Sequence, residues 1–450
     1  MDSRPRTSRL RVGACLLALT VGTPGAPRPL HAQGPGPGAD TVEVRRWHED
    51  LAFLAREMPA QHANLFHTLR SAQFDSALAA IRRRLPMLAR HQVIVELMRL
   101  AAAVGDGHTN VSPWRDTLVA FHTLPVALYR FEDGYYVRAA TRAHADLLGG
   151  RVLRVGDVPI DSAEALVTPL IGRDNAMAIK QYAPLLLRMP EVLHALGLAR
   201  DPRGAELTLA IGGRDRTVQL AEAGRFPNLS GDADKGWDVP PGWVDLREQA
   251  PTPLWLSRPA TTYWFAYVPA GRLLYCQINE IQERDEPLAA FFARALAAAD
   301  SAGAERFVLD LRLNGGGNGQ YNPIIVRALV KSRFDERGRL FVITSRRTFS
   351  AAQFLISDLE NWSNPIYAGE PSASHGNHYG DSRRLLLPEH GITVRVSTLW
   401  WQHSDPRDAR PWIDVDIPAP LTVAAYAAGK DPALEAIAAF DPQTLTRPNR

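Results

Sequence analysis

The chain has 450 residues, 46% of them hydrophobic and 22% charged, which excludes a mostly disordered protein and is too long for one small core. Its formal charge of +3 comes from one end: residues 1–32 hold five Arg and one Asp, so the remainder carries about −1. That balance gives no support to nucleic-acid binding, which usually needs a basic face.

Arg4, Arg6, Arg9 and Arg11 precede an apolar run over 12–22, followed by a Pro/Gly-containing stretch that ends Leu30-His31-Ala32. Basic region, short apolar region and small residue read as a secretory signal, the alternative being an uncleaved membrane anchor, for which the apolar run is short. Removal near Ala32 is expected, giving a periplasmic or secreted chain with no stable membrane insertion. Cys15 lies inside that signal, so Cys276 is left as a single thiol with no disulfide partner. Its apolar neighbours mark it as a core residue.

Residues 33–41 are Gly/Pro-rich and read as a disordered leader. Over 42–115 a helical unit is expected. Val44, Trp47, Leu51, Leu54 and Met58 step at helical spacing, Phe74, Leu78, Ile81 and Leu85 repeat it, and an apolar run over 93–104 follows Pro86. Residues 116–222 change to short alternating strands with an Asp133-Gly134 turn. The phrase beginning Gly150-Arg-Val-Leu-Arg-Val-Gly-Asp resembles the late part of a PDZ domain. Scaffolding and peptide capture both remain open for it, since such a sheet binds only through an open edge.

The segment 223–270 is rich in Pro and carries Trp237, Trp243, Trp255 and Trp264, irregularly spaced as packing residues in a bridging stretch. From 271 to 430, apolar strands and helices alternate, which predicts an α/β unit with a parallel-type sheet and active groups at the strand ends. Leu434 and Ile437 predict one last helix in the tail, 431–450.

Three clusters carry chemistry. Asp310-Leu311-Arg312-Leu313-Asn314-Gly315-Gly316-Gly317 ends a strand in three glycines. Such a loop exposes backbone N–H groups to an anion, or is simply a tight turn. In Thr348-Phe349-Ser350-Ala351-Ala352, a serine opens an Ala-rich helix. It is either a helix cap or a nucleophile at the positive end of the helix dipole. Gly105-Asp106-Gly107-His108-Thr109 brackets an acid with glycines ahead of a histidine, a turn that either faces solvent or projects a base. The sequence has no His-Glu-x-x-His and no Cys/His ligand spacing, so no metal or cofactor is expected.

Together these clusters resemble the tail-specific (C-terminal-processing) serine proteases and the core of tricorn protease, over about 271–420 plus the Asp-Gly-His-Thr segment. The resemblance implies a ClpP/crotonase-like core joined to the helical unit and the PDZ-like module, and a serine-type peptidase acting on peptide or protein substrates. It makes Ser350 the nucleophile and the amides of Gly316 and Ala351 the oxyanion donors. Many bacterial members place a Lys base 25 positions after the serine; here that position is His375. In the tricorn-like branch the base is a His preceded by Ser, whose counterpart is His108 with Gly107 in place of that Ser. His108 is the expected base and His375 the second choice. The orienting acid stays open: Asp408 or Asp405 by position, or Asp106 acting on the ring directly. Two other outcomes are compatible with the same fold, a non-catalytic ligand- or peptide-binding protein and an esterase.

Overall fold

The computed structural model describes residues 40–225, 237 and 239–441. The signal-like segment, nearly all of the leader, part of the Trp/Pro-rich stretch and the last nine residues lie outside these. Three helices come first, Thr41–Gln61, Ser71–Arg84 and Arg90–Ala102. The first buries Trp47, Leu51, Leu54 and Met58 in one stripe. The third is buried almost all round, through Val93, Ile94, Val95, Leu97, Met98 and Leu100, and serves as the core helix of the group.

An antiparallel sheet follows, in the order Val126–Phe131, Gly134–Thr141, Arg151–Val155, Gly204–Ile211, Arg214–Ala221. Trp243–Asp245 pairs with Gly134–Thr141, so part of the Trp/Pro-rich stretch is a strand of this sheet as well as a bridge. Trp237, Trp243, Trp255 and Trp264 are all buried, which fits their reading as packing residues.

The central sheet runs Tyr263–Val268, Leu273–Ile278, Arg306–Asp310, Leu340–Thr344, Ile366–Gly369, Ile417–Pro418. Its first pair is antiparallel and the rest are parallel, giving an α/β architecture. Every residue of Leu273–Ile278 and of Leu340–Thr344 is buried, as expected of parallel strands covered on both faces. Cys276 sits fully buried here, and burial pushes its thiol well above the usual range. The helices Leu288–Ser301, Asn322–Val330 and Ala351–Trp362 make the crossovers. At the carboxyl ends of the strands lie the triple-glycine loop and the loop leading to Ser350.

A long hairpin, Asn377–Leu386 with Thr393–Gln402, was not foreseen in the sequence. It joins the helical unit to the site: Asn110 bridges to Arg395, and the Ala63 amide donates to the Ser397 carbonyl.

Candidate active site

The triple-glycine loop is fixed from below by buried charge. The Arg312 guanidinium donates to Asp310 Oδ2 at 2.7 Å and to both oxygens of Asp431 at 2.8 and 3.1 Å, and the Tyr275 hydroxyl donates to Asp310. Removing one partner from such a buried set costs about 3–5 kcal/mol, so the loop root is rigid. Asn314 then ties the loop sideways. Its Nδ2 donates to the Ile278 carbonyl at 3.0 Å, and its own carbonyl accepts from the Phe349 amide at 3.2 Å. Gly316 has φ +116°, and a Cβ there would meet the Ser350 Cβ at 2.8 Å, so only glycine lets the loop lie against the serine.

Ser350 does not cap the helix it opens. Its side chain makes no capping hydrogen bond, and its backbone is held at φ +54°, ψ −124°. That conformation costs a non-glycine residue about 1–3 kcal/mol and persists only where surrounding structure imposes it. The hydroxyl instead lies 3.0 Å from His108 Nε2.

The loop that carries His108 is built around Asp106. Asp106 Oδ1 accepts from the amides of His108 (2.9 Å) and Thr109 (2.7 Å) and from the Ser397 hydroxyl (2.7 Å), while Oδ2 lies 3.0 Å from His62 Nε2. Burial opposes its charge, but hydrogen bonds from His62 and Ser397, with the His67 ring 4.0 Å away, outweigh burial and hold the carboxyl well below the usual range. Asp106 therefore shapes the turn and does not bond the His108 ring, contrary to the expectation that it orients the imidazole. Gly107 is glycine for want of room, since a Cβ would come within 2.8 Å of the Phe349 ring. Its amide donates to Asp174 Oδ1 at 2.7 Å. Gly172 brings the Asp174 segment in close, where a Cβ would press to 2.5 Å on the Thr109 carbonyl.

The His108 ring packs against both Phe349, at 4.4 Å between ring centres, and His378, at 5.5 Å and nearly parallel. Burial lowers its pKa to about 4, with His378 adding to the effect and Asp174, Asp106 and the Tyr379 backbone opposing it. The ring is thus neutral near pH 7. If the serine hydroxyl donates to Nε2, as a nucleophile facing its base must, the neutral ring carries its proton on Nδ1. A cavity of about 520 Å³ opens over Ser350 and His108, walled in part by Trp114 stacked on Tyr182.

His375 and Asp408 are not brought to this pair. His375 Nδ1 lies 3.0 Å from the Arg410 carbonyl. Asp408 accepts from the Arg410 guanidinium at 2.7 Å and from the Ser404 hydroxyl at 2.6 Å. Asp405 is an exposed partner of Arg407. Proximity in the chain to the family positions does not translate into contact with the imidazole.

Of the expected oxyanion donors, the Ala351 amide carries no hydrogen bond, whereas the Gly316 amide donates to Asn314 Oδ1 at 2.9 Å. His62, His67 and Asp106 group closely enough to suggest metal ligands. The chemistry favours a hydrogen-bond network: His62 Nδ1 accepts the Asn64 amide at 2.8 Å, so Nε2 carries the proton that faces Asp106. Sequence reasoning missed His378 and Asp174, which belong to no motif, and gave no role to Asn314 within the triple-glycine cluster. The one local signal that could have pointed to Asp174 is its polar Gly172-Arg-Asp-Asn175 setting, which sequence reasoning did not single out.

The sequence matches no protein-family profile and no curated protein. Solved structures do match. Mature CPAF complexed with lactacystin aligns over 88% of this chain and 97% of its own, with a TM-score of 0.60 at 14% identity. Mature CPAF aligns over 88% and 96%, with a TM-score of 0.58 at 13% identity. A photosystem II D1 C-terminal processing protease aligns over 86% and 98%, with a TM-score of 0.37 at 15% identity. The chain shares its fold with mature CPAF over 88% of its length.

Proposed function

We propose that this chain, folded like mature CPAF, is an exported serine peptidase with Ser350 as nucleophile and His108 as base. One observation carries the reading: a serine in strained backbone, withheld from capping its own helix, lies 3.0 Å from the Nε2 of a neutral, buried histidine. A structural cap would have no need of the strain or of the imidazole.

In the reaction, Ser350 Oγ bonds to the peptide carbonyl carbon while its proton passes to His108 Nε2. The Ala351 amide, at the positive end of a 12-residue helix, donates to the oxyanion. The Gly316 amide is the second donor and leaves Asn314 Oδ1 as the oxyanion forms. His108 then protonates the departing amine as the C–N bond breaks, and water repeats the sequence to release the acid. The basic, apolar, small-residue order of residues 1–32 supports export. Among the described residues no helix is long and apolar enough to cross a membrane.

The test is turnover of quenched-fluorescent peptides and of an unfolded protein beside a p-nitrophenyl ester, by wild type and Ser350→Ala. Peptide cleavage lost in Ser350→Ala supports a peptidase. Ester cleavage alone points to an esterase, and no turnover of either points to a binding protein on this fold.

A further inference from the structure

With Ser350 donating to Nε2, the neutral His108 has its ring proton on Nδ1, and that buried nitrogen makes no formed hydrogen bond, the Tyr379 backbone beside it being a backbone group that favours its charge. A buried donor left unsatisfied costs about 1–3 kcal/mol, so an acceptor should stand nearby. Asp174 supplies a matching defect. Its Oδ1 is anchored on the Gly107 amide at 2.7 Å, one residue before His108, while its Oδ2 is buried and equally without a partner. The two elements are pressed together at Gly172, which leaves no room for a side chain between them. The acids expected from sequence are all engaged elsewhere: Asp106 by backbone amides, Ser397 and His62, Asp408 by Arg410, Asp405 by Arg407.

We infer that Asp174 is the carboxylate that orients His108, accepting the Nδ1 proton so that Nε2 faces Ser350; this rests on the serine-hydrolase reading. The contact lies beyond hydrogen-bond length in the free chain and tightens when substrate occupies the cleft, as catalytic hydrogen bonds commonly do. Asp174 is thus a positioning residue acting through His108. It comes from the loop after the PDZ-like strand-and-helix segment, far upstream of where the family resemblance places the acid.

The charges of the two groups act on each other. Burial raises the Asp174 carboxyl, Asp106 adds to that, and His108, the Gly107 amide and His375 oppose it. Around His108, His378 opposes the charged ring, while Asp174, Asp106 and the Tyr379 backbone favour it. Losing the Asp174 charge therefore lowers the pKa of the ring.

Asp174→Asn keeps the oxygen that holds Gly107 and removes the charge. Expected are a fall in kcat/KM of about 10²–10⁴-fold carried by kcat, as for an acid that fixes the tautomer, and an acid limb of the pH profile moved to lower pH. The rate of Ser350 labelling by a fluorophosphonate should fall in step. Nitrogen-15 shifts of His108 give a readout that needs neither turnover nor the variant: wild type should show the Nδ1–H tautomer at neutral pH. A wild type in the Nε2–H tautomer overturns the assignment. So does a folded Asp174→Asn whose kcat/KM stays within about threefold of wild type with an unmoved acid limb. Wild type that never labels at Ser350 removes the hydrolase reading instead, and a shift of the His108 tautomer balance between wild type and Asp174→Asn still decides whether Asp174 or the Tyr379 backbone holds the ring.

Discussion

Two regions of this molecule each offer a histidine and an aspartate, and the structure uses them in opposite ways. In the loop at 105–110, Asp106 spends its carboxylate on the backbone and on His62, leaving the His108 ring free to meet Ser350. In the segments that flank the long hairpin, His375 before it is turned to a carbonyl and Asp408 after it is locked to Arg410, itself paired with Glu360 at 2.8 Å. A histidine becomes a base through what its second nitrogen can reach, not through its distance in sequence from the nucleophile.

The widest contrast should appear in turnover. His108→Ala is expected to lose about 10⁴-fold or more in kcat/KM, and His375→Ala to stay within about threefold. Equal losses would erase the distinction between the two regions.

The next contrast is in stability. Asp106→Ala strands several buried donors and should cost about 3–5 kcal/mol in denaturant unfolding. Asp408→Ala loses a partly solvated ion pair and should cost about 1 kcal/mol.

A smaller effect sharpens the nucleophile's side. Ser350→Gly relieves the positive φ and should gain about 1 kcal/mol in stability with activity abolished, whereas Ser350→Ala keeps the strain.

The pH dependence follows from the His108 ring at about 4. The base works when neutral, so kcat/KM should hold through neutral pH and fall as pH drops through about 4. The same ring takes a proton in the unfolded chain near its ordinary value of 6.5. Stability should therefore fall as pH drops from 6.5 to about 4, with no further contribution from this ring below that. An acid limb near 6.5 would show a solvated, ordinary histidine.

The helical unit and the central sheet were readable because their signals are local. The stripe of Trp47, Leu51, Leu54 and Met58 and the buried run Leu273–Ile278 each declare their element within a few residues. Ser350 and His108 were readable for the same reason, each sitting in a short motif. The hairpin Asn377–Gln402 was not, because its exposed and buried faces sort only against the helical unit it packs on. Asp174 was invisible because its meaning lies in one long-range approach, Gly172 against Thr109, that no spacing encodes. Asp408 was misread for a related cause, since position relative to Ser350 says nothing about Arg410 claiming the carboxylate first.

The most direct test of the central claim is intact-mass and peptide-mapping analysis of fluorophosphonate labelling, on wild type, Ser350→Ala, His108→Ala and His375→Ala. The account predicts one adduct on Ser350, abolished in Ser350→Ala, severely slowed in His108→Ala and unchanged in His375→Ala. Folded wild type that takes no label, or takes it equally well without His108, would contradict it.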